Sequence, residues 1–153
     1  MTLERFSKPI DDLKAVARSS FVHFKHSACL LRGGKVYAVG KNRYFDRVYE
    51  VRKNIKFTIH AEIDTIMQMP KHELKGMDIL IIRVRVDGTL GDSRPCNTCI
   101  DKMKRAGIRR AYYSTRDGDL RCELVSEMEM TYETSAMRTW SHLRGHIAPP
   151  TVT

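Results

Sequence analysis

Apolar residues along this chain recur at two periods, and the switches between them mark out the elements. Leu13, Val16 and Ala17 stand at helical spacing in a polar opening, which predicts a helix over residues 9–20. "FKHSACLLR" and "KVYAVG" have the composition of strands. The Gly33–Gly34 pair between them signals a tight hairpin, because glycine adopts the positive φ of such turns without steric cost. Residues 41–57 show no clear period and are expected to form a long loop. In "TIHAEIDTIMQM", Ile59, Ile63, Ile66 and Met67 share one helical face, and Pro70 ends that helix. "MDILIIRVRVDG" is apolar on both faces in its first half, as a central strand covered on both sides must be; its second half alternates and puts Arg83 and Arg85 together. "RPCNTCIDKMKRAGI" predicts a helix entered at Pro95, striped by Ile100, Met103 and Gly107 and stopped at the glycine. "RRAYYST" and "LRCELV" flank Asp117–Gly118, the strongest short turn signal, so the last two strands form an antiparallel hairpin. Residues up to 144 suit a further helix, and "GHIAPPTVT" a loose tail.

The resulting order predicts an α/β layered sheet with its functional loops at the helix entrances. A chain of 153 residues buries a core without crosslinks. We expect one domain over residues 1–144 and a tail over 145–153. "MTLERFSKPIDD" contains no apolar h-region, and no segment offers about eighteen uninterrupted apolar residues. Neither secretion nor membrane spanning is therefore supported, and a cytoplasmic protein is expected. A formal net charge of +9 attracts phosphate-bearing ligands, nucleotides and polynucleotides alike.

His60, Cys96 and Cys99 offer one nitrogen and two sulfur donors, the cysteines spaced to face one way from the first turn of a helix. Three such donors suit zinc, with a fourth position left to water. A closed structural site would need a fourth protein ligand, for which Cys29, Cys122 or another histidine is available. Cys29 and Cys122 otherwise look like buried strand residues. A redox dithiol would also favour a helix start, but it leaves His60 without a role. Glu62 points to a different side of the helix from His60 and approaches a zinc site from the flank. Zinc lowers the pKa of water from about 15.7 toward about 7, and a nearby carboxylate can take the proton and deliver it elsewhere. A catalytically silent zinc domain that only binds a partner has no need of Glu62.

The motifs H-A-E and P-C-x-x-C, separated by a strand, resemble those of the zinc-dependent cytidine and deoxycytidylate deaminase superfamily over roughly residues 24–125. The resemblance implies a three-layer α-β-α cytidine deaminase-like fold with a five-stranded mixed sheet. It implies Zn2+ held by His60, Cys96 and Cys99, Glu62 as proton shuttle, and conversion of a cytosine base to uracil with release of ammonia. It further implies that Ala61 meets the base edge, that Asn42 in "VGKN" holds a sugar hydroxyl and that Phe24 flanks the base. The ordinary alternatives are a turn residue for Asn42, a core residue for Phe24 and mere packing for Ala61. "PCNTC" is similar to deoxycytidylate deaminases, whereas an antiparallel last hairpin is a trait of nucleoside cytidine deaminases and several polynucleotide-acting relatives. Nucleoside enzymes usually carry an acidic residue two positions after the asparagine; Asn42-Arg43-Tyr44 has none. That departure favours a pyrimidine nucleotide, CMP or dCMP, with Arg43, Arg47, Arg83, Arg85 and Arg94 as candidate phosphate contacts. The other reading is a single strand of DNA or RNA, its bases stacked on Tyr44, Phe45 and Tyr49 between Arg43, Arg47 and Arg52. By analogy with the family, a homo-oligomer is expected.

Overall fold

A computed structural model describes residues 3–44 and 58–131 of the chain. After a short 3-10 turn, helix α1 (Ser7–Arg18) precedes strands β1 (Lys25–Arg32) and β2 (Lys35–Lys41). These pair antiparallel across Gly33 and Gly34, whose φ angles of 58° and 79° are those of a tight turn closed by glycines. Strand β3 (Arg43–Tyr44) pairs antiparallel with β4 (Thr58–Ile59) as a separate two-stranded ribbon. Helix α2 (Ala61–Ile66) and the single turn α3 (Lys71–Leu74) lead to β5 (Asp78–Val84) and β6 (Leu90–Gly91). Helix α4 (Asn97–Ala106) precedes β7 (Arg110–Ser114) and β8 (Leu120–Leu124).

The main path of the sheet runs β2-β1-β5-β7-β8, with β6 attached to β5. Only β5 and β7 are parallel; β7 and β8 form the antiparallel hairpin that Asp117–Gly118 predicts. The apolar run in β5 explains the layering. Ile79, Leu80, Ile81 and Ile82 are all fully buried, and alternate residues point to opposite faces. Ile79 and Ile81 join Ile66, Ile100 and Met103 in a core under α2 and α4. Leu80 and Ile82 join Ile10, Leu13 and Ala17 of α1 on the other side. This is the expected three-layer α-β-α arrangement on a mixed five-stranded sheet.

Several element boundaries differ from the sequence expectation. The helix predicted from Thr58 starts only at Ala61, because Thr58 and Ile59, both β-branched, are extended and pair with Arg43 and Tyr44. The two ends of the predicted loop thus form a ribbon. That helix also ends at Ile66, before Pro70, and a separate turn follows the proline. The strand read as running to Gly88 ends at Val84. The chain folds back through a turn closed by Arg85 N–H to Thr89 O at 2.8 Å, and β6 then pairs with β5. Where a C-terminal helix is expected, the chain makes a short 3-10 turn over Val125–Glu127. Residues 128–131 of that expected helix are not helical, and its remainder from 132 and the tail lie outside the described residues, as do Phe45, Arg47, Tyr49 and Arg52. Among the described residues, no helix is long and apolar enough to cross a membrane.

Candidate active site

Two helix entrances meet on the α2/α4 side of the sheet. His60 is the N-cap residue of α2, with extended backbone (φ −69°, ψ 154°), and Cys96 is the N-cap residue of α4 (φ −75°, ψ 171°). His60 therefore precedes its helix instead of riding on it. Cys99 lies one turn into α4. The three donor atoms all lie within 4.8 Å of one another. His60 Nδ1 is 3.2 Å from Cys99 Sγ and 3.5 Å from Cys96 Sγ. Two vertices of a tetrahedral zinc shell, with a Zn–S bond of about 2.3 Å and a Zn–N bond of about 2.1 Å, are about 3.6 Å apart. The donor set therefore fits zinc. Ile59, Ile63, Cys96 and Cys99 form a buried apolar cluster around it. No fourth histidine, cysteine or carboxylate joins the group among the described residues. Cys29 and Cys122 pack with the core under α1, on the opposite face of the sheet, and cannot close the site.

The thiols are electrostatically distinct. The hydrogen bond from Cys99 holds the Cys96 thiol down at about 4, against burial and with help from the His60 imidazole. The same bond and burial push Cys99 well above its ordinary value. Burial opposes charge on His60, yet its bond to Cys96 and the proximity of Glu62 raise its pKa. Glu62, 5 % exposed, is raised above the usual carboxylate range by burial, with His60 opposing and Cys96 adding.

A cavity of about 520 Å³ opens over this cluster. Phe24, Asn42, His60, Ala61, Glu62 and Arg94 line it, together with Arg83 and four groups that the motif reading does not single out, His26, Thr58, Asp92 and Ser93. Arg83 reaches in from β5. Its guanidinium carbon stacks 4.6 Å from the centroid of the Phe24 ring, and its buried Nε has no hydrogen-bond partner. Arg83 faces Gly91 across the β5–β6 ladder, where a Cβ would meet only the flexible side chains of Arg85, 3.3 Å from its Nε, and Arg83, 3.4 Å from its Cδ. Asn42 is buried and its amide is engaged by Ser20, Phe24 and His26.

The other arginines are directed elsewhere. Arg43 pairs with Asp64 at 2.7 Å, and neither it nor Tyr44 lines the cavity. Arg85 donates to the carbonyl of Arg116, so Arg83 and Arg85 do not act as a pair. Arg94 touches the cavity, but it pairs with Glu123 at 3.5 Å and donates to the carbonyl of Glu129 at 2.9 Å. His26 was within reach of sequence reasoning: in a strand it falls two residues after Phe24, on the same face.

A layered α/β sheet carrying a His/Cys/Cys donor set and a buried carboxylate at two helix entrances defines a zinc hydrolase site of the nucleobase deaminase type. The model of the cytidine and deoxycytidylate deaminase zinc-binding region matches residues 3–115, and the chain belongs to that family. Its fold is shared with a cytidine deaminase from Burkholderia pseudomallei, at 20 % identity over 77 % of this chain and 91 % of that one, TM-score 0.56. It is likewise shared with the apo dCMP deaminase of cyanophage S-TIM5, at 18 % identity over 75 % of this chain and 86 % of that one, TM-score 0.54. The phage enzyme has also been solved with dCMP and dUMP; against that structure this chain has 19 % identity and a TM-score of 0.50, over 73 % of this chain and 79 % of that one. No curated protein matches the chain in sequence.

Proposed function

We propose that the protein is a hydrolytic deaminase of a free cytosine nucleotide, CMP or dCMP, converting its base to uracil. The observation that carries this reading is Arg83. It is a cation in the wall of the cavity that holds Glu62 and the zinc donors, and it has no carboxylate or hydrogen-bond partner for its side chain among the described residues. A guanidinium so placed is suited to a phosphate, for which it offers several aligned N–H donors.

Zinc at His60, Cys96 and Cys99 supplies the Lewis acidity that makes water a nucleophile near neutral pH. The chain's own residues handle the rest. Ala61, fully buried at the start of α2, meets the edge of the base with its backbone. Glu62 accepts the two protons of the attacking water in turn, delivering the first to the ring nitrogen and the second to the departing amino group. Burial, by raising its pKa, fits it to hold and release a proton. Across the reaction, water's oxygen becomes the C4 carbonyl of uracil, the C4–N bond breaks, and nitrogen leaves as ammonia. Asn42 and Phe24 shape the sugar side of the cavity, and Arg94 braces its rim through Glu123.

The test is ammonia release, with products identified by mass, from zinc-loaded protein given CMP, dCMP, cytidine and a cytosine-containing single-stranded oligonucleotide. Turnover of a mononucleotide is expected. Turnover of the oligonucleotide alone would overturn the reading. Glu62→Gln is expected to keep zinc and fold while losing at least about 10²-fold in kcat. Full activity in that variant would remove Glu62 from the chemistry.

A further inference from the structure

Hydrogen-bonding capacity around Asn42 singles out its neighbour His26. Asn42 Nδ2 donates to the Phe24 carbonyl at 2.5 Å, and Oδ1 accepts the His26 backbone N–H at 3.1 Å. A carbonyl can only accept and a backbone N–H can only donate, so the orientation of the amide is fixed by its partners. Oδ1 also lies 2.8 Å from Ser20 Oγ, whose proton it shares with the carbonyl of Asn42 itself. An amide oxygen has two lone pairs; one accepts the His26 N–H, and the Ser20 hydroxyl lies against the other. What remains to Asn42 is one Nδ2–H. It can donate to a sugar hydroxyl, but it cannot accept that hydroxyl's proton.

His26 has what Asn42 lacks. Its Nδ1 is 3.2 Å from the Phe24 carbonyl, and because that oxygen only accepts, Nδ1 carries the hydrogen. Burial, with Arg83 opposite it in the β1–β5 register and His60 nearby, lowers its pKa to about 4, so the ring is neutral. Nε2, on the far edge of the ring, then carries a lone pair. No group among the described residues donates to it, and the residue lines the cavity beside Asn42.

We propose that His26 is a specificity-determining residue, its Nε2 accepting the proton of a hydroxyl on the substrate's sugar, the part of that hydroxyl's bonding that Asn42 cannot supply. The proposal rests on the reading of the cavity as a cytosine nucleotide site. Its chemistry calls for a neutral acceptor, which a nucleotide lacking the hydroxyl would leave unpaired.

The experiment compares kcat/KM of zinc-loaded wild type, His26→Leu and His26→Gln on dCMP, CMP and 2′,3′-dideoxy-CMP. On the hydroxyl-bearing nucleotides His26→Leu is expected to lose about 10- to 100-fold, chiefly through KM, and His26→Gln, whose side chain again offers an acceptor, to recover part of it. On the dideoxy nucleotide the wild type and His26→Leu are expected to be alike. Equal losses on all three substrates would mean that His26 only supports the fold, and no loss on any would mean that it contacts nothing; either overturns the proposal. If His26→Leu fails to fold with zinc bound, His26→Phe, a ring without an acceptor, replaces it in the same comparison. Wild type inactive on all the nucleotides would overturn the substrate reading itself, and this proposal with it. Wild type active with uniform losses would overturn this proposal alone.

Discussion

At the scale of single residues, the same imidazole side chain does two unlike things because its surroundings differ. His60 stands at a helix entrance beside Cys96 and Glu62, which raise its pKa. His26 stands half-buried in a strand, facing Arg83, and desolvation lowers its pKa from 6.5 to about 4. Folded, His26 takes up a proton only near pH 4; in the unfolded chain it does so near 6.5. Between these values the unfolded chain binds more protons, so stability drops as pH falls through that window and the contribution is complete above 6.5. The whole effect is at most about 3–4 kcal/mol. Denaturant titrations of wild type and His26→Leu from pH 7 to pH 4 should show the wild type losing stability faster than the variant. Parallel curves would mean that folding leaves the pKa of the ring unchanged.

At the scale of elements, position depends on close backbone approach. Gly40 near the end of β2 faces α2, where an added Cβ would lie 2.5 Å from Thr65 Oγ1 and 2.8 Å from Thr65 N. The second of these contacts is backbone and cannot turn aside. Gly40→Ala must therefore move α2, and with it His60 and Glu62. We expect a loss of about 1–3 kcal/mol in stability and a fall in zinc content. Unchanged metal stoichiometry at full stability would show that the helix tolerates the shift. The elements that sequence made legible are those announced by local chemistry: Gly33–Gly34 and Asp117–Gly118 for the hairpins, the four-residue apolar run of β5 for a strand covered on both faces, and the Gly107 stop of α4. The β3–β4 ribbon was not legible, because two-residue strands are too short to display a period and are defined only by each other. The turn into β6 did carry a signal, Asp87–Gly88, the same dipeptide that marks the last hairpin, with Gly88 at φ 87°. The donor set stood out in sequence because its spacing is chemical. The cavity wall was legible only in part: Arg83 was among the candidate phosphate contacts, but its meeting with His26 and Asp92 depends on β1, β5 and the segment after β6 lying side by side.

At the scale of the whole molecule, charge bears on substrate choice. The chain carries 27 lysines and arginines against 18 acidic residues. Two of the candidate phosphate-binding arginines have partners of their own: Arg43, outside the cavity, has Asp64, and Arg94 at its rim has Glu123. The excess positive charge thus acts on a nucleotide in two ways, as a diffuse field during approach and as a local contact at Arg83. Salt separates the two. Screening shortens the Debye length from about 10 Å at 0.1 M to about 3 Å at 1 M, which weakens the field far more than a contact inside the cavity. Raising ionic strength over this range should lower kcat/KM for CMP or dCMP about tenfold, through KM, and leave kcat nearly unchanged. Cytidine, which has no phosphate, should respond little. Arg83→Gln should lower kcat/KM for the nucleotide at every ionic strength without removing the salt dependence, because the field comes from the rest of the chain. A nucleotide rate indifferent to salt in both proteins would mean that the net charge takes no part in capture. A salt dependence that vanishes in Arg83→Gln would place the whole electrostatic effect in that single side chain.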